Sequence, residues 1–131
     1  MNTFQPIYIL SAEKTAFTPE LNAARTEFLK QHLEALCVPY KRLEGKFKGQ
    51  LEVSFMIYQT ENDLERIERL ARDFDQEAYM FSDSNRYTTL HVMKGDTYHV
   101  GFAGILRATS KEYAEKQAGH TFDGENYYIL D

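Results

Sequence analysis

Side chains alternate strictly between two kinds of chemistry along residues 51–58. The two rows are Leu51, Val53, Phe55, Ile57 and Glu52, Ser54, Met56, Tyr58. A period of two predicts a strand in a sheet that has one covered apolar face and one face of mixed chemistry. We expect function on the mixed face.

Two other stretches have the spacing of amphipathic helices. Thr18-Pro19-Glu20 supplies a cap, a first-turn proline and an acidic first turn. The apolar positions of this helix are Leu21, Ala24, Phe28, Leu33 and Leu36. Thr60 caps the second predicted helix, whose stripe is Leu64, Ile67, Leu70, Ala71 and Phe74. Cys37, at the apolar end of the first helix, is expected to be a small buried hydrophobe.

The remaining apolar runs predict further strands and a short third helix. The strands are Ile7–Ser11, Pro39–Phe47, Ala78–Phe81, Tyr87–Met93, Thr97–Leu106 and Asn126–Leu130, and Thr109 caps a helix that ends near Gln117. This order predicts an α+β fold with a mainly antiparallel sheet and two helices on one face. It is a split βαβ, ferredoxin-like core with a C-terminal hairpin, helix and strand as an extension. A length of 131 residues fits one domain, residues 1–131.

The mixed face of the central strand is the first candidate site. Glu52, Ser54 and Tyr58 could bind a polar ligand through a few convergent hydrogen bonds, or could simply meet water. If another segment covers this face, Glu52 needs a hydrogen-bond donor.

Two histidines in the predicted hairpin are the second candidate. A three-residue loop at residues 94–96 would pair Val92 with Tyr98 and place His91 opposite His99. A metal there would need a third ligand, for which Glu52 or His120 is available. Acid–base work and purely structural histidines are the alternatives, and the chain has no HExxH spacing.

A turn and two glycines complete the candidates. The loop from Ser82 to Arg86 could cradle a phosphate with Arg86, although a plain turn explains the same residues. Gly101 and Gly104 inside a strand pattern indicate a bulge or a close approach to a ligand.

Composition and charge exclude several classes of protein. Hydrophobic residues make up 43% and the formal net charge is −5, which argues against disorder and against an extended nucleic-acid surface. Lys41, Arg42, Lys46 and Lys48 indicate a solvated edge strand or a small anion site. The single Cys37 allows no internal disulfide and no cysteine-based zinc site. No signal peptide or apolar span is visible, so a soluble cytoplasmic protein with no membrane association is expected.

Several short motifs resemble a small family, found in bacteria and their phages, that is classed as a domain of unknown function. They are Ser11-Ala12, Asn22, Glu52-Val53-Ser54-Phe55 and Phe74-Asp75-Gln76-Glu77-Ala78, and the resemblance covers Tyr8 to Val92. The family pattern has Thr where Ser11 stands and Gly where Asp75 stands, and its Asn-Pro is replaced by Glu13-Lys14. The resemblance supports a fold and implies no activity.

No esterase, P-loop or dinucleotide motif occurs, so a binding protein is favoured over an enzyme. The leading hypothesis is a phage-linked inhibitor or sequestering protein for a host factor or small nucleotide, with a protein partner or nucleotide-like ligand and no cofactor or metal. The candidate ligand-binding residues are Glu52, Ser54, Tyr58, Arg86, His91 and His99. The alternatives are a small hydrolase or nuclease using Glu52, His91 and His99, and a self-assembling structural protein that pairs edge strands as a homodimer.

Overall fold

A computed structural model describes residues 5–14, 16–47, 50–58, 63–74, 76, 78–94, 97–117 and 119–131. Within these ranges the chain forms three helices and eight strands. In chain order they are β1 Ile7–Leu10, α1 Pro19–Ala35, β2 Tyr40–Phe47, β3 Gln50–Tyr58, α2 Asp63–Asp73, β4 Ala78–Ser82, β5 Tyr87–Lys94, β6 Thr97–Thr109, α3 Lys111–Glu115, β7 His120–Phe122 and β8 Tyr127–Leu130.

The strands form a closed antiparallel barrel. Their order around it is β1-β3-β2-β7-β8-β6-β5-β4. Strand β1 pairs with β3 on one side and with β4 on the other, which closes the sheet. The predicted ferredoxin-like fold with an open sheet is therefore wrong. The segment expected as an extension instead carries the sheet from β4 round to β2, and a period of two cannot distinguish a flat sheet from a closed one.

The first helix begins where the sequence predicts, but only part of its predicted apolar stripe is buried. The Thr18 hydroxyl accepts a hydrogen bond from the Leu21 amide at 3.2 Å, which caps α1. Leu29 and Leu33 are fully buried, whereas Phe28 is 60% exposed. No helix in the described ranges is both long enough and apolar enough to span a membrane.

The end of α1 corrects the expectation for Cys37. Its φ is 57°, the left-handed conformation common just after a helix C-terminus. The amide of the following Val38 donates to the Leu33 carbonyl at 3.4 Å and turns the chain back toward β2. This geometry leaves the Cys37 side chain exposed rather than buried.

The larger core lies between the barrel wall and the two long helices. It joins outward-facing strand residues to one face of each helix. Its buried members are Tyr8, Leu10, Ala12, Leu29, Leu33, Val38, Phe55, Ile57, Ile67, Leu70, Ala71, Phe74 and Tyr79. The predicted Thr60 cap of α2 lies outside the described residues.

A second, smaller core fills part of the barrel interior. Its buried members are Ile7, Ile9, Leu43, Met56 and Leu106. Because successive side chains of a strand point to opposite faces, the mixed row of β3 faces inward with Met56. The face expected on an open sheet is thus the lining of a closed barrel.

The β5–β6 hairpin has a different register from the predicted one. Val92 pairs with His99 and Lys94 with Thr97, so two residues separate the strands and not three. Those two, residues 95–96, lie outside the described residues. The register also shifts between Thr88 and Thr89, because Thr88 pairs with Gly104 and Thr89 with Phe102. This shift is consistent with a bulge beside Gly104.

The third helix is shorter than predicted and is capped one residue later. The Ser110 hydroxyl, not that of Thr109, accepts a hydrogen bond from the Tyr113 amide at 3.2 Å. Thr109 is the last residue of β6 and pairs with Tyr127. The helix places Ala114, which is fully buried, beside the β8 end of the barrel.

Candidate functional site

The barrel interior opens into a cavity of about 360 Å³ at the end where β3 begins. Its lining is mostly apolar, with Ile9, Met80 and Leu106 among the contributing side chains. Glu52 and Ser54 add polar groups from β3. This volume lies within the range of small-molecule sites, which combine apolar walls with a few polar groups.

The strand register places Glu52 in a row of inward-facing positions that crosses four strands. Glu52 is opposite Gly45 on β2, Gly45 is opposite Thr121 on β7, and Thr121 is opposite Tyr128 on β8. All four line the cavity. A glycine beside the carboxylate leaves space that a side chain would otherwise fill.

Glu52 is half-buried, and its carboxyl is perturbed. Burial, reinforced by the negative charge of Glu13, raises the pKa of Glu52 to about 7, while the nearby Ser11 hydroxyl acts in the opposite direction. Burial has this effect because a carboxylate loses more hydration than a neutral carboxyl. The group is therefore close to half-ionised at neutral pH, a property concentrated at functional sites.

The segment after β1 holds Glu13 near Glu52. The Ser11 hydroxyl donates to the Val53 carbonyl at 2.7 Å, and the Glu13 carboxylate accepts from the Val53 amide. Ser11 Oγ also accepts from the Glu13 amide at 3.1 Å. Both polar groups of Val53 are thus bound by one short segment, which fixes the second acidic side chain beside β3.

Tyr58 and Arg86 lie at the opposite end of the barrel from Glu52. Tyr58 is six positions further along β3 than Glu52, which corresponds to about 20 Å. Burial lowers the pKa of Arg86, and the nearby Tyr128 and Tyr58 act in the opposite direction. The Tyr128 hydroxyl donates to the Asp123 carboxylate at 3.2 Å. Tyr58 and Arg86 therefore belong to a polar cluster that reaches the cavity through Tyr128 and not through Glu52.

The two hairpin histidines do not form a pair. His91 stacks on Tyr79 with ring centroids 4.5 Å apart and contacts the Thr89 hydroxyl at 2.9 Å. Since Val92 is opposite His99, His91 and His99 lie on opposite faces of the hairpin. Glu52, His91 and His99 are not brought together, and no group of three or more metal-binding side chains occurs in the described ranges.

The loop after β4 behaves as a turn. The Asp83 carboxylate accepts from the amides of Asn85 and Tyr87 at 2.8 and 3.0 Å. Such bonds are typical of an Asx turn, in which a short polar side chain replaces a backbone partner. Arg86 follows with a φ of 66°. The turn interpretation accounts for these residues.

Several cavity residues escape sequence reasoning. Gly45, Lys46, Gln117 and His120 line the cavity from β2 and from the segment around β7. Gly45 and Lys46 lie on the strand that pairs with β3, whereas Gln117 and His120 are distant from Glu52 in sequence. The β2–β7 pairing brings Gln117 and His120 to this wall, and a three-residue strand such as β7 carries too weak a pattern to predict that pairing.

Comparisons with known proteins correct the family assignment. No curated protein sequence matches the chain. Residues 8–131, however, match the profile of the S-adenosylmethionine lyase family. This match replaces the resemblance to a family of unknown function, which rested on short motifs. It also overturns the inhibitor, hydrolase or nuclease, and structural-protein hypotheses, because the family is one of enzymes of a different class. The chain belongs to the S-adenosylmethionine lyase family.

Proposed function

We propose that this protein cleaves S-adenosylmethionine as a lyase, with the barrel cavity as its substrate site. The observation that carries the proposal is the half-buried carboxyl of Glu52, whose pKa is raised to about 7, in a mostly apolar cavity. Titratable groups perturbed by burial inside a cavity are the usual mark of an active site.

The chemistry of the cavity fits this substrate. S-adenosylmethionine joins a nucleoside to an amino acid through a sulfonium, which carries a permanent positive charge. The apolar wall that includes Ile9, Met80 and Leu106 suits the nucleoside. The carboxylate of Glu52 suits the sulfonium, because opposite charges attract strongly where water is partly excluded.

The reaction breaks the bond between the sulfonium sulfur and the amino-acid side chain. The bonding electron pair passes to sulfur, which leaves as the neutral thioether 5′-methylthioadenosine. The four-carbon fragment departs either as a lactone, when its own carboxylate displaces the sulfur, or as an unsaturated amino acid, when a proton is lost. Neither route consumes water, and both neutralise the sulfonium charge.

The cavity favours such a step for an electrostatic reason. A reaction that neutralises a charge has a lower free-energy barrier in apolar surroundings than in water, because water stabilises the charged reactant more than it stabilises the transition state. The apolar lining also limits the access of water, which would otherwise compete for the reacting carbon. Mass spectrometry of the four-carbon product distinguishes the two routes.

The test is production of 5′-methylthioadenosine from S-adenosylmethionine by the purified protein at pH 8. Glu52→Gln is expected to lower kcat/KM by about 100-fold, which corresponds to about 2.7 kcal/mol. Glu65→Gln, an exposed carboxyl on α2, is the matched control and is expected to stay within about threefold of the wild type. A wild type without this product, or an unaffected Glu52→Gln variant, would overturn the proposal.

Location and partners follow from this substrate. The ligand is a small nucleoside derivative, and the cytoplasm, where S-adenosylmethionine serves as a general methyl donor, is the proposed site of action. No protein partner is needed for the reaction as written. A homodimer stays a prediction that light scattering can test.

A further inference from the structure

A second hollow lies on the other side of the barrel wall from the cavity. It has a volume of about 490 Å³, and Glu13, Glu115 and Tyr127 contribute to its lining. The residues that line both spaces are Gly45, Lys46, Glu52 and His120. We call the second space the outer groove. We call these four shared residues the dividing wall. They lie between the mostly apolar cavity and the charged residues of the outer groove.

His120 has an unsatisfied polar atom in the dividing wall. Its Nδ1 is buried and has no hydrogen-bond partner among the described residues. The ring packs against Tyr127 with centroids 5.7 Å apart. An unsatisfied buried polar group destabilises the fold, so such a group calls for an explanation, and a bound ligand is one.

The backbone at Gly45 brings the His120 carbonyl close to β2, the strand that pairs with β3. Gly45 is opposite Glu52 in the β2–β3 pair. A Cβ on Gly45 would lie 2.5 Å from the His120 carbonyl oxygen, a distance that no side chain tolerates. The glycine therefore permits the close approach of β7. Because Thr121 is in the inward-facing row, the ring of the preceding His120 points to the outer-groove face of the same wall, beside Tyr127.

The charges at the wall indicate which part of the substrate lies there. The Lys46 ammonium donates to the Glu115 carbonyl at 2.9 Å, so a cation is held beside the wall. Glu13 and Glu52 add carboxyl groups of opposite charge. The amino-acid end of S-adenosylmethionine carries an ammonium and a carboxylate, whereas the adenine ring suits the apolar interior.

We propose that His120 is a substrate-binding residue whose Nδ1 hydrogen-bonds the amino-acid end of S-adenosylmethionine. This inference rests on the proposed function and assigns one half of the substrate to the dividing wall. His120 should therefore strengthen the binding of ligands that carry the amino-acid moiety and should not change the binding of ligands that lack it.

The test uses two ligands and three variants. S-adenosylhomocysteine carries the amino-acid end, and 5′-methylthioadenosine lacks it. Asn at position 120 places a polar atom near that of Nδ1, Gln places one near Nε2, and Phe places none. Calorimetry should show that His120→Gln and His120→Phe lower the affinity for S-adenosylhomocysteine by about tenfold. The same variants should lower the affinity for 5′-methylthioadenosine by less than twofold. His120→Asn should stay within about threefold of wild type for both ligands.

Controls separate this inference from the proposed function. His99→Phe, on the exposed end of the hairpin, should leave both affinities unchanged. Equal weakening of both ligands by His120→Gln and His120→Phe, or no weakening of either, would overturn the role of His120 even if the wild type cleaves S-adenosylmethionine. A wild type without lyase activity would instead remove the proposed function, and this inference with it. If His120→Phe fails to fold, the Asn and Gln variants still decide between these results.

Discussion

The two faces of β3 differ sharply in their surroundings. Phe55 is 2% exposed and packs into the core between barrel and helices, with its ring edge-to-face against Tyr40 at 5.5 Å. Ser54, its neighbour, faces the interior and lines the cavity. One strand thus contributes a closely packed wall on the outside and a partly polar, partly empty space on the inside. Residues that stabilise the fold and residues that line the cavity are therefore separated by a single step along the chain.

The outer face should therefore account for most of the stability of the strand. Phe55→Ala removes a buried aromatic side chain and is expected to lower the free energy of unfolding by about 3–5 kcal/mol. Ser54→Ala, on the inner face, should change it by about 1 kcal/mol or less. Urea unfolding of both variants measures the contrast. Equal losses would contradict the division between the faces.

Arg25 joins the outer layer to the segment that positions Glu13. Its guanidinium donates to the Ala12 carbonyl at 2.6 Å and to the Phe74 carbonyl, and lies 5.0 Å from the Phe17 ring centroid. Arg25→Met should lower the free energy of unfolding by about 1.5–3 kcal/mol, because charged hydrogen bonds to backbone are lost. Thermal melts measure the loss. Arg25→Lys should recover only part of it, since lysine cannot reproduce the two-pronged contact.

The inner wall is sensitive to an added methyl group at Gly45. Gly45→Ala would bring Cβ to 2.5 Å from the His120 carbonyl oxygen, and the strands must separate to accommodate it. We expect a loss of about 1–3 kcal/mol in unfolding free energy together with weaker substrate binding. Gly101→Ala is the matched control, because a Cβ there meets nothing within 4 Å. Equal effects of the two substitutions would show that strand propensity, and not the contact with the His120 carbonyl, determines the loss of unfolding free energy.

The inner face should also show a stability cost that depends on pH. Because the folded-state pKa of Glu52 is raised from 4.5 to about 7, the folded protein holds an extra proton between these values. Ionisation therefore destabilises the fold as pH rises through about 7. Glu52→Gln should be more stable than wild type by about 1–2 kcal/mol at pH 8, after allowance for solvent screening, and by much less at pH 5. Denaturant titrations at the two pH values measure this difference, and a difference independent of pH would contradict it.

The sequence predicts local elements better than it predicts their closure. The cap at Thr18, the β2–β3 pair and the covered side of Phe55 all depend on contacts close in sequence or on one strong period. Closure depends on the pairing of β1 with β4 and on the return of β7 to β2. These long-range pairings leave no periodic signal of their own, so an open sheet and a closed barrel have the same pattern.

The candidate site is predictable only in part, for the same reason. Alternation along one strand places Glu52 and Ser54 on the mixed face, and both residues line the cavity. The predicted pairing of His91 with His99 is wrong, because a single residue in the loop length reverses which face a side chain occupies. His120 reaches the site through the pairing of β7 with β2, which is far away in sequence, and a short strand such as β7 gives little indication of its partner.

The most direct test of the central claim is an NMR titration of the Glu52 carboxyl in three states. These are the free protein, the complex with S-adenosylhomocysteine, and the complex with an amine analogue that has a cation in place of the sulfonium. The free protein should titrate at about 7. The cationic analogue should lower this pKa by at least one unit, because a positive charge beside the carboxylate favours its ionised form, and the neutral thioether should lower it much less. A carboxyl that titrates at its ordinary value, or that responds equally to both ligands, would contradict the assignment of Glu52 to the sulfonium.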